Sequence, residues 1–159
     1  MQKITPNLWF DTEAEEAAKF YTSIFNDSKV IGITHYGEAG PGPAGSVLTV
    51  TFELQGLQVT AINGGPEFKL TEAISLAVSC ETQDEIDELW DRLSAGGEIQ
   101  VCGWLKDKYG LSWQVVPAML AEMLEDTDRH RANRVMEAVL KMKKLDVAEL
   151  RRAYDDVPA

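Results

Sequence analysis

Ile74-Ser75-Leu76-Ala77-Val78-Ser79-Cys80-Glu81-Thr82-Gln83-Asp84-Glu85, residues 74–85, is the stretch on which the fold turns. Its first seven residues alternate, with Ile74, Leu76, Val78 and Cys80 on one side and Ser75, Ala77 and Ser79 on the other, as in a strand with one buried face. Thr82-Gln83-Asp84-Glu85 has the spacing of a capping box, in which hydroxyl and carboxylate each satisfy a backbone N–H left free at a helix start. The helix it opens runs to about Ala95 and stops at Gly96-Gly97.

The same order stands earlier in the chain. Ile4, Leu8 and Phe10 alternate with Thr5 and Asn7, Trp9 falls on the polar side, and Thr12-Glu13-Ala14-Glu15 repeats the capping-box pattern. A helix with the stripe Ala17, Ala18, Phe20, Tyr21, Ile24 and Phe25 follows, ended by Asn26-Asp27. Three strands are then predicted: Lys29 to Tyr36, Ser46 to Leu54, and Leu57 to Asn63, the last two joined at Gln55-Gly56. In the middle strand Leu48, Val50, Phe52 and Leu54 oppose Thr49, Thr51 and Glu53, so one side meets a core and the other a wetter surface.

After the second helix, Glu98 to Leu105 and Leu111 to Val116 supply strands, with Lys106 to Gly110 as a turn. Two copies of one β-α-β-β-β unit are the simplest reading. Residues 1–116 form the paired domain, with modules of about 1–66 and 67–116, and residues 117–159 a helical extension. Pro117 is expected in the first turn of that extension, a break near Lys143-Lys144, and a third capping box at Asp146 to Glu149. The stripe Val135, Met136, Val139, Leu140 and Met142 is expected to pack on the chain's own sheet or on a second subunit.

The 159 residues carry 15 Lys+Arg against 26 Asp+Glu, a formal net charge of −11, and 45% are hydrophobic. That charge repels phosphate backbones and anionic lipid headgroups, so neither nucleic acid nor membrane is expected as a partner. The start MQKITPNLWF lacks the basic and apolar regions of a secretory signal, and no apolar run has the length of a membrane span, so a cytoplasmic location is expected. Cys80 and Cys102 show no CxxC spacing, and both thiols are expected to be reduced.

Three segments, Ile4-Thr5-Pro6-Asn7-Leu8-Trp9-Phe10, Asn63-Gly64-Gly65-Pro66, and Cys102-Gly103-Trp104-Leu105-Lys106-Asp107-Lys108-Tyr109-Gly110-Leu111-Ser112-Trp113-Gln114, carry a family resemblance. With the doubled β-α-β-β-β order, they resemble the PhnB-like, or 3-demethylubiquinone-9 3-methyltransferase-like, branch of the glyoxalase/bleomycin resistance/dioxygenase (vicinal oxygen chelate) superfamily. The resemblance spans nearly the whole chain. It implies an α+β fold of two βαβββ modules forming a cupped mixed sheet with a C-terminal helical tail, and a homodimer with modules paired across subunits.

Enzymatic members of that superfamily hold a divalent metal through His, Glu or Gln on the first and last strands of each module. Counting back from Phe10 and Cys80, the first-strand positions fall on Thr5 and Ser75, and Leu57 to Asn63 holds no carboxylate or histidine. Gln114 alone remains plausible. One amide and two hydroxyls carry too little charge to strip water from a hard divalent ion and include no soft donor for zinc, so no metal and no cofactor are expected. His35 and His130 are read as structural or solvated, and Cys102, near Lys106 and Lys108, as a structural thiol.

Methyl transfer has its own requirement, a strand, a Gly-rich turn and a helix. The Gly-rich candidate, Gly37 to Gly45, contains Pro41 and Pro43 and leads into a strand, and is read as a loop beside the pocket. The expected ligand is a small organic molecule, stacked on Trp9 or Trp104 and hydrogen-bonded by Thr5, Asn7, Asn63, Ser75 and Gln114, with no catalytic residue assigned. Trp90 and Trp113 are expected in the core. Two alternatives stay open: a metal-assisted lyase or isomerase acting on a carbonyl compound through Gln114, and an interaction module using the tail.

Overall fold

The structure, a computed structural model, describes residues 2–158. The chain divides into two compact units, Met1–Leu70 and Thr71–Ala159. The first contains β1 (Asn7–Phe10), α1 (Ala14–Ile24), β2 (Ser28–His35), β3 (Val47–Leu54) and β4 (Leu57–Asn63). Its sheet has the order β1-β4-β3-β2, with β1 parallel to β4 and the other pairs antiparallel. The second contains β5 (Ser75–Cys80), α2 (Gln83–Ser94), β6 (Glu98–Ile99), β7 (Trp104–Lys106) and β8 (Ser112–Pro117), then α3 (Leu120–Leu124), α4 (Arg129–Leu140) and α5 (Val147–Asp155). Its order, β5-β8-β7-β6 with β5 parallel to β8, repeats the first sheet strand for strand. No helix among the described residues is long and apolar enough to cross a membrane.

Each sheet buries one face under its helix. Leu8, Phe10, Val50, Phe52, Val59 and Ala61 form a core with Ala17, Ala18 and Tyr21 of α1. In the second unit Leu105, Trp113 and Val115 meet Ile86, Leu89, Trp90 and Leu93 of α2. Both tryptophans expected in the core, Trp90 and Trp113, are there.

Beyond shifts of a residue at element ends, four features differ from the sequence reading. The first strand begins at Asn7, leaving Ile4 85% exposed, because Pro6 has no N–H for a ladder and only accepts, through its carbonyl, from Thr60 N–H at 3.0 Å. Helix α1 opens at Glu13 without a side-chain cap of its own, whereas Thr82 caps α2 by accepting from Glu85 N–H at 3.2 Å. The run Glu98 to Leu105 splits into β6 and β7, since Cys102 (φ 60) and Gly103 (φ 81) take left-handed backbone angles that end a strand. Pro117 closes β8, and helix resumes only at Leu120.

The tail packs on its own unit. Leu120, Val135, Val139, Met142, Leu145 and Leu150 form a buried cluster that also gathers Cys102 and Val116. Cys102 N–H donates to Met142 C=O and Gly103 N–H to Lys143 C=O, each at 2.8 Å. Gln83 joins α2 to the start of α5, accepting from Val147 N–H at 2.8 Å and donating to Leu145 C=O at 3.2 Å. Met136 and Leu140 of the predicted stripe instead face outward, 42% and 64% exposed.

The turn between β7 and β8 is organised by Asp107, which is 2% exposed. Its Oδ1 accepts from Tyr109 N–H at 2.8 Å and Leu111 N–H at 3.1 Å, and its Oδ2 from Trp113 Nε1–H at 2.9 Å. A buried carboxylate is tolerable here because several donors converge on it. Asp107→Ala should cost on the order of 3 kcal/mol in urea denaturation, because each buried donor left without an acceptor costs roughly 1–3 kcal/mol. Trp113→Phe removes one of these donors but keeps the turn, so its far-ultraviolet spectrum should match the parent's. A wild-type midpoint for Asp107→Ala would contradict this account of the turn.

Leu145→Ala, in the tail cluster, should cost roughly 2–5 kcal/mol and lower the stability of the whole second unit. A separate early transition confined to the tail is the contrary result.

Candidate functional site

Strand alternation decides which side chains face away from the helices. On the first sheet the open face carries Asn7 and Trp9 of β1, Thr60 and Ile62 of β4, and Thr49 and Thr51 of β3, in the rows Asn7–Thr60–Thr51 and Trp9–Ile62–Thr49. The Thr34 and Thr49 hydroxyls lie 2.6 Å apart and those of Thr51 and Thr60 3.3 Å apart, a threonine ladder across three strands. Thr34 and Thr60 were missed as partners because register, not local pattern, sets them opposite Thr49 and Thr51. Glu53 ends this face opposite Lys29 and Gln58.

Thr5 lies half-buried just before β1, its carbonyl accepting from Asn7 Nδ2 at 2.9 Å. Trp9 is tied down at both ends: its Nε1–H donates to Gly65 C=O at 2.9 Å and its ring meets Phe68 edge-on at 5.0 Å. Gly64 lies against the indole so closely that a Cβ there would stand 2.1 Å from Trp9 Cζ2.

On the second sheet Ser75, Trp104 and Gln114 share the face turned away from α2. Trp104 lies opposite Gln114, itself opposite Ala77, and the next row is Lys106–Ser112–Ser75. Gln114 Nε2–H donates to Ser75 Oγ at 2.9 Å. Lys106 pairs with Glu72, and that hydrogen bond holds the Glu72 carboxyl below the usual carboxylate range and raises the Lys106 ammonium. Ser112 Oγ is buried and has no hydrogen-bond partner among the described residues.

Asn63 stands apart from the other six predicted contact residues. It points toward α1, with Oδ1 accepting from Ala14 N–H at 2.9 Å and Nδ2 donating to Val47 C=O at 3.2 Å. It therefore caps the helix that the Thr12–Glu15 pattern was expected to cap. No local signal could have shown this, because Asn63 and Ala14 are 49 residues apart.

Other polar candidates are scattered. His35 is exposed on β2, and His130 is exposed in the first turn of α4. Among the described residues no group of three or more His, Cys, Asp or Glu side chains is placed to hold a metal ion. Cys80 is buried, and burial, aided by the Glu85 charge, pushes its thiol up to about 11.

Residues 2–116 match the family model described as 3-demethylubiquinone-9 3-methyltransferase. Among solved structures, the PhnB protein from Bacillus cereus, described by the same methyltransferase name, is 43% identical over 74% of this chain and 100% of its own, with a TM-score of 0.68. Protein PA1353 from Pseudomonas aeruginosa is 19% identical over 74% of this chain and 98% of its own, with a TM-score of 0.61. The fosfomycin resistance protein FosX from Listeria monocytogenes, solved with Mn(II) and sulfate, is 17% identical over 79% and 98%, with a TM-score of 0.54. The latter two share the fold. No curated protein matches the chain.

The fold is thus of the glyoxalase/bleomycin resistance type, in the vicinal oxygen chelate superfamily. Within it the chain belongs to the PhnB-like, 3-demethylubiquinone-9 3-methyltransferase-like family.

Asn63→Ala should cost about 1–2 kcal/mol in urea, the worth of a helix cap, while exposed Asn7→Ala stays within about 0.5 kcal/mol. Equal losses would contradict the capping role. The raised Cys80 thiol makes the unfolded chain ionise first, so its contribution to stability is intact below the ordinary value of 9.0 and is lost as pH rises toward about 11. At pH 8 a thiol reagent should modify Cys102 in the native protein and Cys80 only after unfolding; two equally fast thiols would contradict the burial.

Proposed function

We propose that each unit of this PhnB-like protein offers, on the open face of its own sheet, a binding surface for a small neutral organic molecule, without the divalent metal used by enzymatic members of the superfamily. In the second unit Ser75, Trp104 and Gln114 make the contacts, and in the first Thr5, Asn7 and Trp9. Asn63 acts there as a positioning residue, since its amide already bonds Ala14 and Val47.

One observation carries this reading: the 2.9 Å hydrogen bond from Gln114 to Ser75. It turns the amide N–H toward the hydroxyl oxygen and leaves the Gln114 carbonyl as an acceptor and the Ser75 O–H as a donor. With Trp104 opposite Gln114, the face offers a donor, an acceptor and an aromatic surface, all uncharged. A divalent ion placed there would break that bond and gain only a hydroxyl and an amide, without the carboxylates or imidazoles that offset its dehydration. The Mn(II) in FosX belongs to a protein 17% identical, and its ligands do not carry over.

Methyl transfer finds no support beyond the family's description. Gly37–Gly45 connects the antiparallel strands β2 and β3, and no helix N-terminus follows it to receive a nucleotide-like cofactor. A homodimer in the cytoplasm, without nucleic acid or membrane partners, completes the proposal, consistent with a net charge of −11. Light scattering should give about twice the chain mass of 17.6 kDa.

Elemental analysis of the dialysed protein should find no stoichiometric divalent ion. One ion per chain would overturn the metal-free reading in favour of a metal-assisted enzyme. In a thermal-shift screen of small neutral aromatic and carbonyl compounds, active compounds should lose their effect in Gln114→Ala. The variant's own stability should change by about 1 kcal/mol or less, because Gln114 is only half-buried. Shifts unchanged by that substitution would remove Gln114 from the site.

A further inference from the structure

In the first unit a cavity of about 420 Å³ opens beside the loop 37–45 and reaches the corner between β1 and α1. Asn7, Trp9, Thr49 and Thr51 of the open face are not among its lining residues, and its volume is in the range of small-molecule sites. Its aromatic wall is Tyr36, held by its hydroxyl on Asn63 C=O and by backbone bonds to Ser46 C=O and from Gly45 N–H, each 2.8 Å. The loop grips this ring through two glycines. A Cβ at Gly40 would stand 2.5 Å from Tyr36 Cδ1, and one at Gly42 2.5 Å from Cε2.

The hydrogen-bonding capacity of the walls is one-sided. The Tyr36 hydroxyl donates to Asn63 C=O, the Ser46 hydroxyl to Pro43 C=O at 2.6 Å, and Asn63 Nδ2 to Val47 C=O. The side-chain donors along the cavity are largely spent on the protein itself, whereas Asp11 and Glu15 contribute carboxylates that can only accept. Among the described residues no Lys, Arg or His lines it. Glu15 Oε1 already pairs with a cation, Lys19 Nζ, at 2.8 Å, and its second oxygen is a further acceptor.

We propose that this cavity binds a small organic ammonium ion, with its N–H groups on the Asp11 and Glu15 carboxylates and its carbon chain along the Tyr36 ring. Carboxylate acceptors and an aromatic face both favour a cation, and the net charge of −11 draws one in.

Titration calorimetry with putrescine on the full chain is the test, with butyrate as the anionic counterpart. Putrescine should give saturable binding that weakens with salt, and butyrate none. The double variant Asp11→Asn/Glu15→Gln should weaken putrescine by roughly tenfold or more. A charge-matched control, Asp84→Asn/Asp91→Asn on α2, should bind like the parent, and circular dichroism should show every variant folded. Absence of saturable binding overturns the proposal. So does equal weakening in both double variants, which would mean diffuse attraction to an acidic surface.

Discussion

The second unit depends on one buried anion. Asp107 binds two backbone N–H groups and the Trp113 indole. In doing so it fixes the β7–β8 connection, seats Trp113 under α2, and sets the register that places Gln114 opposite Trp104. The most distinctive part of the chain, Cys102 to Gln114, is therefore a scaffold. Gly103 makes the turn that β6 and β7 need, and its place beside Val115 C=O and Leu145 leaves no room for a Cβ. What the run leaves on the face away from the core is Trp104 and Gln114.

The doubling of the fold was legible because period-2 alternation and capping spacing are local signals, and they recur at Ile4–Glu15 and Ile74–Glu85. Their limits are just as physical. Thr82 caps its helix as the spacing implies, yet Thr12 does not: α1 opens one residue later, at Glu13, and its first N–H, that of Ala14, donates to Asn63 from β4. A tertiary contact stands at a helix start where a local one was expected. Ser75 and Gln114 were legible singly, from alternation and from family likeness, but their mutual hydrogen bond follows from the parallel pairing of β5 with β8. The cavity beside Tyr36 had only its loop visible, since the ring, the two carboxylates and Asn63 come from separate stretches.

Family membership fixes the scaffold more firmly than the chemistry on it. The resemblance puts the superfamily's first-strand metal positions at Thr5 and Ser75, of which only Ser75 lies on a strand here, and the β4 run has neither carboxylate nor histidine. Charged groups stand instead at the surface and the cavity rim: Lys106 is paired with Glu72, and Asp11 and Glu15 line the first unit's cavity. The neutral recognition proposed for the sheets and the cation recognition proposed for the cavity rest on different residues and can be tested apart.

The proposal stands or falls on whether Ser75, Gln114 and Trp104 form an uncharged part of the second sheet's open face with no affinity for a divalent ion. It is tested most directly by adding Mn(II) to isotopically labelled protein and following the side-chain amide resonances of Gln114. The account predicts that these broaden no more than exposed amides elsewhere. Selective loss of the Gln114 amide signals at less than one equivalent of Mn(II) would contradict it.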